Sequence, residues 1–183
     1  MRYPRTIVFV DLSGFTAFIQ RTDDDAAIAM LKAFREVSRD LASEVGVRID
    51  KFLGDGFMAI ATNQNSGVIF ALELQRRFSE QRGELGLRIC IASGYIILFQ
   101  GEDYIGTAPN LAARLCDKAS RFGILMPTYQ ALNLPEGVIA EPVGEFTLQG
   151  FDYPIPASRL VGSVPVRFRN DSREHWTRTP FAV

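Results

Sequence analysis

Histidine is almost absent: His175 is the one example in 183 residues, and it stands near the C-terminus. Acid–base chemistry in the body of the chain therefore falls to carboxylates, lysine, arginine or a bound metal. Cysteine is nearly as scarce. Cys90 and Cys116 have no metal-type spacing, which excludes a disulfide framework and fits a reducing, cytoplasmic location. Charge of one sign is not in excess either. A formal net charge of −1 offers no basic surface for non-specific nucleic-acid binding, so no nucleic-acid partner is expected. No apolar run approaches membrane-spanning length, so no membrane partner is expected. The first apolar run, "TIVFVDLSGF", contains an acid and a turn signal and is not a signal peptide.

What is present is an apolar content of 47% and a chain long enough to bury one substantial core. The spacing predicts a strand over Thr6–Val10, ended by Asp11, with "LSGFT" as a turn that opens a short helix. A long amphipathic helix follows in residues 21–46. Asp23, Asp24 and Asp25 suit its N-terminus, Ala27, Met30, Leu31, Phe34, Val37, Leu41 and Val45 share a face, and Gly46 stops it. "VRIDKFLGDGFMAI" reads as a hairpin around Gly54-Asp55-Gly56. "SGVIFALELQRRFSEQRG" and "APNLAARLCDKAS" read as helices, and "LRICIASGYIILF" as a strand run broken at Ser93-Gly94. "GILMP" reads as a short strand and "EFTLQGFDYPIPASRLV" as a closing hairpin. The interleaved order implies an α+β fold, a mixed, mostly antiparallel sheet with packed helices, over residues 1–165. Residues 166–183, "VRFRNDSREHWTRTPFAV", read as a charged surface tail. Cys90 and Cys116 fall on apolar strand and helix faces and read as core residues.

Two carboxylates stand out. Asp11 and Asp55 each sit where a predicted strand gives way to a turn, and rigid element ends hold metal ligands well. Two such groups could hold a pair of Mg²⁺ ions together with waters and substrate phosphates. The backbone N–H groups of Leu12, Ser13, Gly14 and Phe15 could receive a phosphate. Asp55 also has a plainer reading, as a good residue for a type I′ hairpin turn. Asn110 and Arg114 lie four apart on one helix face, with Leu111, Ala112 and Leu115 turned inward; alone, the pair reads as a solvated face.

Taken together, "FVDLSGFTAF", "KFLGDGFMAI" and "DYIGTAPNLAARL" resemble, in order and rough spacing, the class III nucleotidyl cyclase catalytic domain, stand-alone bacterial type, from about Thr6 to about Leu160. The resemblance implies a βαββαβ core related to ferredoxin-like and polymerase-palm folds, working as a head-to-tail homodimer. It places Asp11 and Asp55 on the two metal-binding aspartates, so the implied cofactors are two Mg²⁺ or Mn²⁺. It places Lys51 and Asp103 on the base-recognising pair, Asn110 on the ribose-orienting asparagine and Arg114 on the transition-state arginine. Pro109 departs from the usual valine, Gln149 stands where many relatives carry a lysine, and the segment before "EDYIG" is short.

The implied substrate is a nucleoside triphosphate, and this pattern points to ATP. A lysine donates to adenine N1 and an aspartate accepts from its N6 amine, whereas guanine presents the reverse pattern. Cytosine presents the same acceptor–donor pair as adenine, so a pyrimidine cyclase of bacterial anti-phage signalling is the alternative. A degenerate cyclase that only binds nucleotide is a further one. A haloacid-dehalogenase-type phosphatase is disfavoured, because Ser13 stands where its second acid is required.

Overall fold

The computed structural model describes residues 2–81, 85–100 and 103–164; the predicted tail, 166–183, lies outside them. The elements run β1 (Tyr3–Ser13), α1 (Phe15–Ile19), α2 (Asp24–Val45), β2 (Arg48–Leu53), β3 (Gly56–Ala61), α3 (Gln64–Gln81), β4 (Gly86–Phe99), β5 (Asp103–Ile105), α4 (Thr107–Cys116), β6 (Ile124–Pro127), β7 (Val138–Phe146) and β8 (Ile155–Gly162). The sheet order is β2-β3-β1-β4-β6-β8-β7, with β5 paired to the outer end of β4. Every pairing is antiparallel except β4 with β6. The expected α+β class and the βαββαβ order of the first half are both present.

The sheet buries both faces. On one side Val8, Val10 and Leu12 of β1 and Leu87, Ile89 and Ile91 of β4 meet Phe34 of α2 and Phe70 and Leu74 of α3. On the other, Ile7, Met58, Cys90 and Ala92 meet Ala108, Leu111, Ala112 and Leu115 of α4. Alternating strand residues thus feed two cores. Both cysteines are free and buried, as expected. Helix α2 begins and ends on its predicted signals. Asp23 accepts from the Ala26 N–H at 2.7 Å, and Gly46 closes the helix at φ 70°.

Three local expectations are corrected. Strand β1 does not end at Asp11 but runs to Ser13, because β4 pairs with it as far as Ser13↔Gly86. Strand β4 is not broken at Ser93-Gly94. Ser93 shares a hydroxyl hydrogen bond with Thr6 at 2.8 Å, and a Cβ on Gly94 would lie 3.1 Å from the Ala108 Cβ. The glycine there serves close approach of α4, not a turn. At the β2–β3 hairpin, Gly54 takes φ 64° while Asp55 stays outside the positive-φ region. With Leu53↔Gly56 flanking the loop, this is the pattern of a type II′ turn, not type I′.

Candidate active site

Asp11 lies inside a central strand, opposite Gly56 of β3 on one side and Arg88 of β4 on the other. The hairpin presses against it. A Cβ at Gly56 would sit 2.6 Å from the Val10 carbonyl and 3.4 Å from Asp11 Oδ1, so only glycine lets the turn come this close. The Leu12 N–H donates to the Asp55 carbonyl at 3.3 Å. From α2, Arg35 donates to the Gly54 carbonyl at 3.3 Å, and its guanidinium lies 4.7 Å from the Phe52 ring centroid. The turn that carries Asp55 is therefore braced from two sides.

Arg88 is the functional candidate that the sequence reading missed. Its Nε donates to Asp11 Oδ2 at 3.0 Å and its Nη2 donates to the same oxygen. Burial works against the Arg88 charge, but the Asp11 hydrogen bond and charge outweigh it and hold the guanidinium above its ordinary value. Burial pushes the Asp55 carboxyl above its ordinary value, and the Asp11 charge adds to that; a backbone hydrogen bond and the Arg88 charge oppose it. Two half-buried carboxylates thus crowd one another beside a single guanidinium.

These groups fit a hard divalent cation in donor chemistry. Both carboxylates offer oxygen, and a cation would offset the burial and, in lesser part, the Asp11 charge that raise Asp55. Among the described residues no group of three or more His, Cys, Asp or Glu side chains converges as a complete metal cage.

Helix α4 presents Asn110 and Arg114 to solvent while Leu111, Ala112 and Leu115 are buried. Pro109 is buried in its first turn, where its missing N–H is one of the donors that lack a helical partner anyway. A cavity of about 670 Å³ is lined by Thr107, Asn110, Arg114, Gln149, Phe151 and Asp152, among others. Arg114 also reaches a second cavity, about 240 Å³, shared with Asp11, Gly56, Arg88 and Asp117. Asn110, Arg114 and Asp11 are thereby linked through one side chain.

Lys51 and Asp103 come together elsewhere. Lys51 Nζ donates to Asp103 Oδ1 at 2.6 Å, and this contact holds the ammonium above its ordinary pKa. Lys51 lines a different hollow, between β2 and α2. Of the residues after Asp11, Leu12 is a buried strand residue that has given its N–H to the hairpin, and Gly14 caps α1 at φ 89°.

Comparison with known proteins gives the family and the fold. The family model for the adenylate and guanylate cyclase catalytic domain matches residues 3–157. The chain belongs to that family. An uncharacterized protein of Mycobacterium tuberculosis is 34% identical over 154 residues, which is 84% of this chain and 40% of that protein. An adenylate cyclase of Streptomyces coelicolor is 32% identical over 120 residues, 66% of this chain and 31% of the other. The chain therefore spans well under half the length of these relatives. The crystal structure of the adenylyl cyclase CyaB from P. aeruginosa superposes with a TM-score of 0.78 at 22% identity, covering 90% of this chain and 97% of that one. This cyclase domain thus has the fold of that structure, and among its described residues no helix is long and apolar enough to cross a membrane.

Proposed function

We propose that this cyclase domain converts a nucleoside triphosphate, ATP by preference, to its 3′,5′-cyclic monophosphate with release of pyrophosphate. The observation that carries the base preference is the side-by-side placement of Lys51 and Asp103. A donor next to an acceptor fits the N1/N6 edge of adenine, and the reversed edge of guanine would leave both groups mismatched.

In this reading the ribose 3′-oxygen attacks the α-phosphorus, the bond to the β-phosphate oxygen breaks, and pyrophosphate leaves. Two Mg²⁺ or Mn²⁺ held by Asp11 and Asp55 would lower the pKa of the 3′-hydroxyl and neutralise the triphosphate. An Asp11 carboxylate oxygen, or water, accepts the hydroxyl proton. Asn110 orients the ribose. Arg114 meets the charge that grows on the α-phosphate, a contribution whose loss costs on the order of 10²-fold in rate. The N–H groups of Ser13, Gly14 and Phe15 face the phosphates. Arg88 steadies Asp11 and offsets part of the repulsion between the carboxylates.

A head-to-tail homodimer is part of the proposal. Tyr95, Leu98 and Phe99 of β4, Ile105 of β5 and Leu53 at the hairpin tip are exposed apolar side chains. A strip of this kind on a sheet extension marks an interaction surface. In such a dimer Asp55 serves one site while Lys51 serves the other. One observation favours a second arrangement: Arg114 and Asp11 line a common cavity within a single chain, which suits a site completed in cis. Mixing an Asp55→Ala chain with an Arg114→Ala chain separates the two. Restored activity supports the shared site, and failure to complement with dimers present supports the cis site.

The deciding experiment incubates the protein with ATP, GTP, CTP and UTP in Mn²⁺ or Mg²⁺ and identifies products by mass spectrometry. Cyclic AMP is expected. Cyclic CMP as the main product would move the reading to a pyrimidine cyclase with a role in antiviral defence, since cytosine offers Lys51 and Asp103 the same edge; cyclic UMP would also make it a pyrimidine cyclase but overturn the Lys51/Asp103 base reading, since uracil presents the reversed edge. Nucleotide binding without pyrophosphate release would make the chain a binding module.

A further inference from the structure

Strand β2 is irregular one residue before Lys51. The β2–β3 ladder reads Arg48↔Ile60, Ile49↔Ala59 and then Lys51↔Met58, so Asp50 is an extra residue with no partner on β3. This is a β-bulge, a device that re-aims side chains beside functional sites. Its effect on packing is visible. Ile49 and Phe52, three apart, both pack on the core beneath α2 and α3, which a regular strand with its alternation of two could not arrange. Removing residue 50 would leave an unbroken ladder with Ile49, Lys51 and Phe52 on their present faces. Packing alone does not require a residue there.

The residue that occupies the bulge is a costly choice. The Asp50 side chain is 3% exposed. Among the described residues its Oδ2 has no hydrogen-bond partner. The nearest cations, Lys51 Nζ and Arg48 Nη2, lie 3.8 Å from its two oxygens, beyond hydrogen-bonding distance. A buried acceptor without a partner calls for an explanation outside stability.

Lys51 supplies one. Its ammonium now sits on Asp103 at 2.6 Å, with Asp50 Oδ2 next nearest. When Lys51 donates to a nucleobase and Asp103 accepts from it, the base edge competes with their direct 2.6 Å contact. An ammonium has three N–H donors, so it can serve a base and a second carboxylate at once. We infer that Asp50 is a positioning residue for Lys51, the acceptor that holds the ammonium when it turns from Asp103 to the base. The bulge is what brings that acceptor beside Lys51 without moving Lys51 off its face. This rests on the reading of Lys51 and Asp103 as the base-contacting pair.

The test uses 3′-deoxy-ATP and 3′-deoxy-GTP, which lack the attacking hydroxyl, so binding is measured by calorimetry without turnover. Asp50→Ala weakens 3′-deoxy-ATP binding about tenfold, the usual worth of a hydrogen bond to a charged group, and narrows the preference over 3′-deoxy-GTP. Asp50→Asn, which keeps the shape and one acceptor oxygen, lies between. Neither lowers the thermal midpoint, since the carboxylate's Oδ2 makes no hydrogen bond and its two ion pairs are 3.8 Å long. In a Lys51→Ala background the Asp50→Ala penalty disappears, because Asp50 acts through Lys51. An equal penalty in both backgrounds, or wild-type binding by both Asp50 variants while Lys51→Ala binds weakly, overturns the assignment. Unchanged binding by Lys51→Ala overturns the base-contact reading itself, and the assignment with it.

Discussion

Two ion pairs carry most of the candidate chemistry, and they are built differently. Arg88 and Asp11 face each other across the ladder of two central strands, so the backbone register positions both. Lys51 and Asp103 are 52 residues apart, on an edge strand and on a three-residue strand. Little but their own contact joins them. The first pair is about two-thirds buried at each partner, whereas the Asp103 side chain is 62% exposed. On the proposed reading, the pair beside the metal gains from a fixed frame, and the pair that receives the base lengthens at low cost because it is weakly framed.

That contrast can be broken in graded steps. The largest effect is expected from Asp55→Ala, which removes one of two carboxylates and abolishes turnover in the product assay; near-normal activity would take Asp55 out of the site. Next comes Lys51→Ala. It raises KM for ATP on the order of tenfold, as loss of a charged hydrogen bond does, and leaves the thermal midpoint unchanged, because the pair contributes no framework. Arg88→Ala should reverse that pattern on the stability side, lowering stability by about 1 kcal/mol in urea titration through the half-buried Asp11 left unpaired. If Lys51→Ala proved the more destabilising, the contrast would fall.

The smallest effect concerns pH. Because Asp55 is raised above its ordinary 3.8 in the folded chain, folding favours its protonated form. The benefit is complete below the unfolded value and is lost as pH rises through the folded one. At neutral pH the ionised carboxylate is therefore a small cost. Asp55→Asn should gain stability slightly at pH 7 and lose that advantage toward pH 4. Mg²⁺ should stabilise the parent chain and leave the variant unaffected.

Much of this was legible in the residues. The strand before Asp11, the Gly-Asp-Gly hairpin and the Asn110/Arg114 spacing all fall on the expected elements. What escaped was set by tertiary partners. Strand β1 passes through Asp11 to Ser13 because β4 is there to pair with it, which local propensity cannot reveal. Arg88 left a faint signal, a guanidinium in an otherwise apolar strand, where a charge needs a partner. The bulge at Asp50 left a clearer one: Ile49 and Phe52 are apolar at odd spacing in a strand that should alternate. The II′ turn escaped because "GDG" suits more than one hairpin geometry.

The central place of β1 has a consequence for how the chain is made. Within this domain its residues are made before those of its neighbours, which lie far downstream, with Thr6 pairing to Ala61 and to Ser93 and Tyr3 pairing to Ile96. Until β4 has emerged, "TIVFV" is an apolar strand with at least one open edge. Synthesis at about 5–20 residues per second leaves it so for several seconds. Long-range pairing of this kind folds slowly and exposes sticky intermediates meanwhile. The strand that carries Asp11 therefore stays open to mispairing until β4 is made.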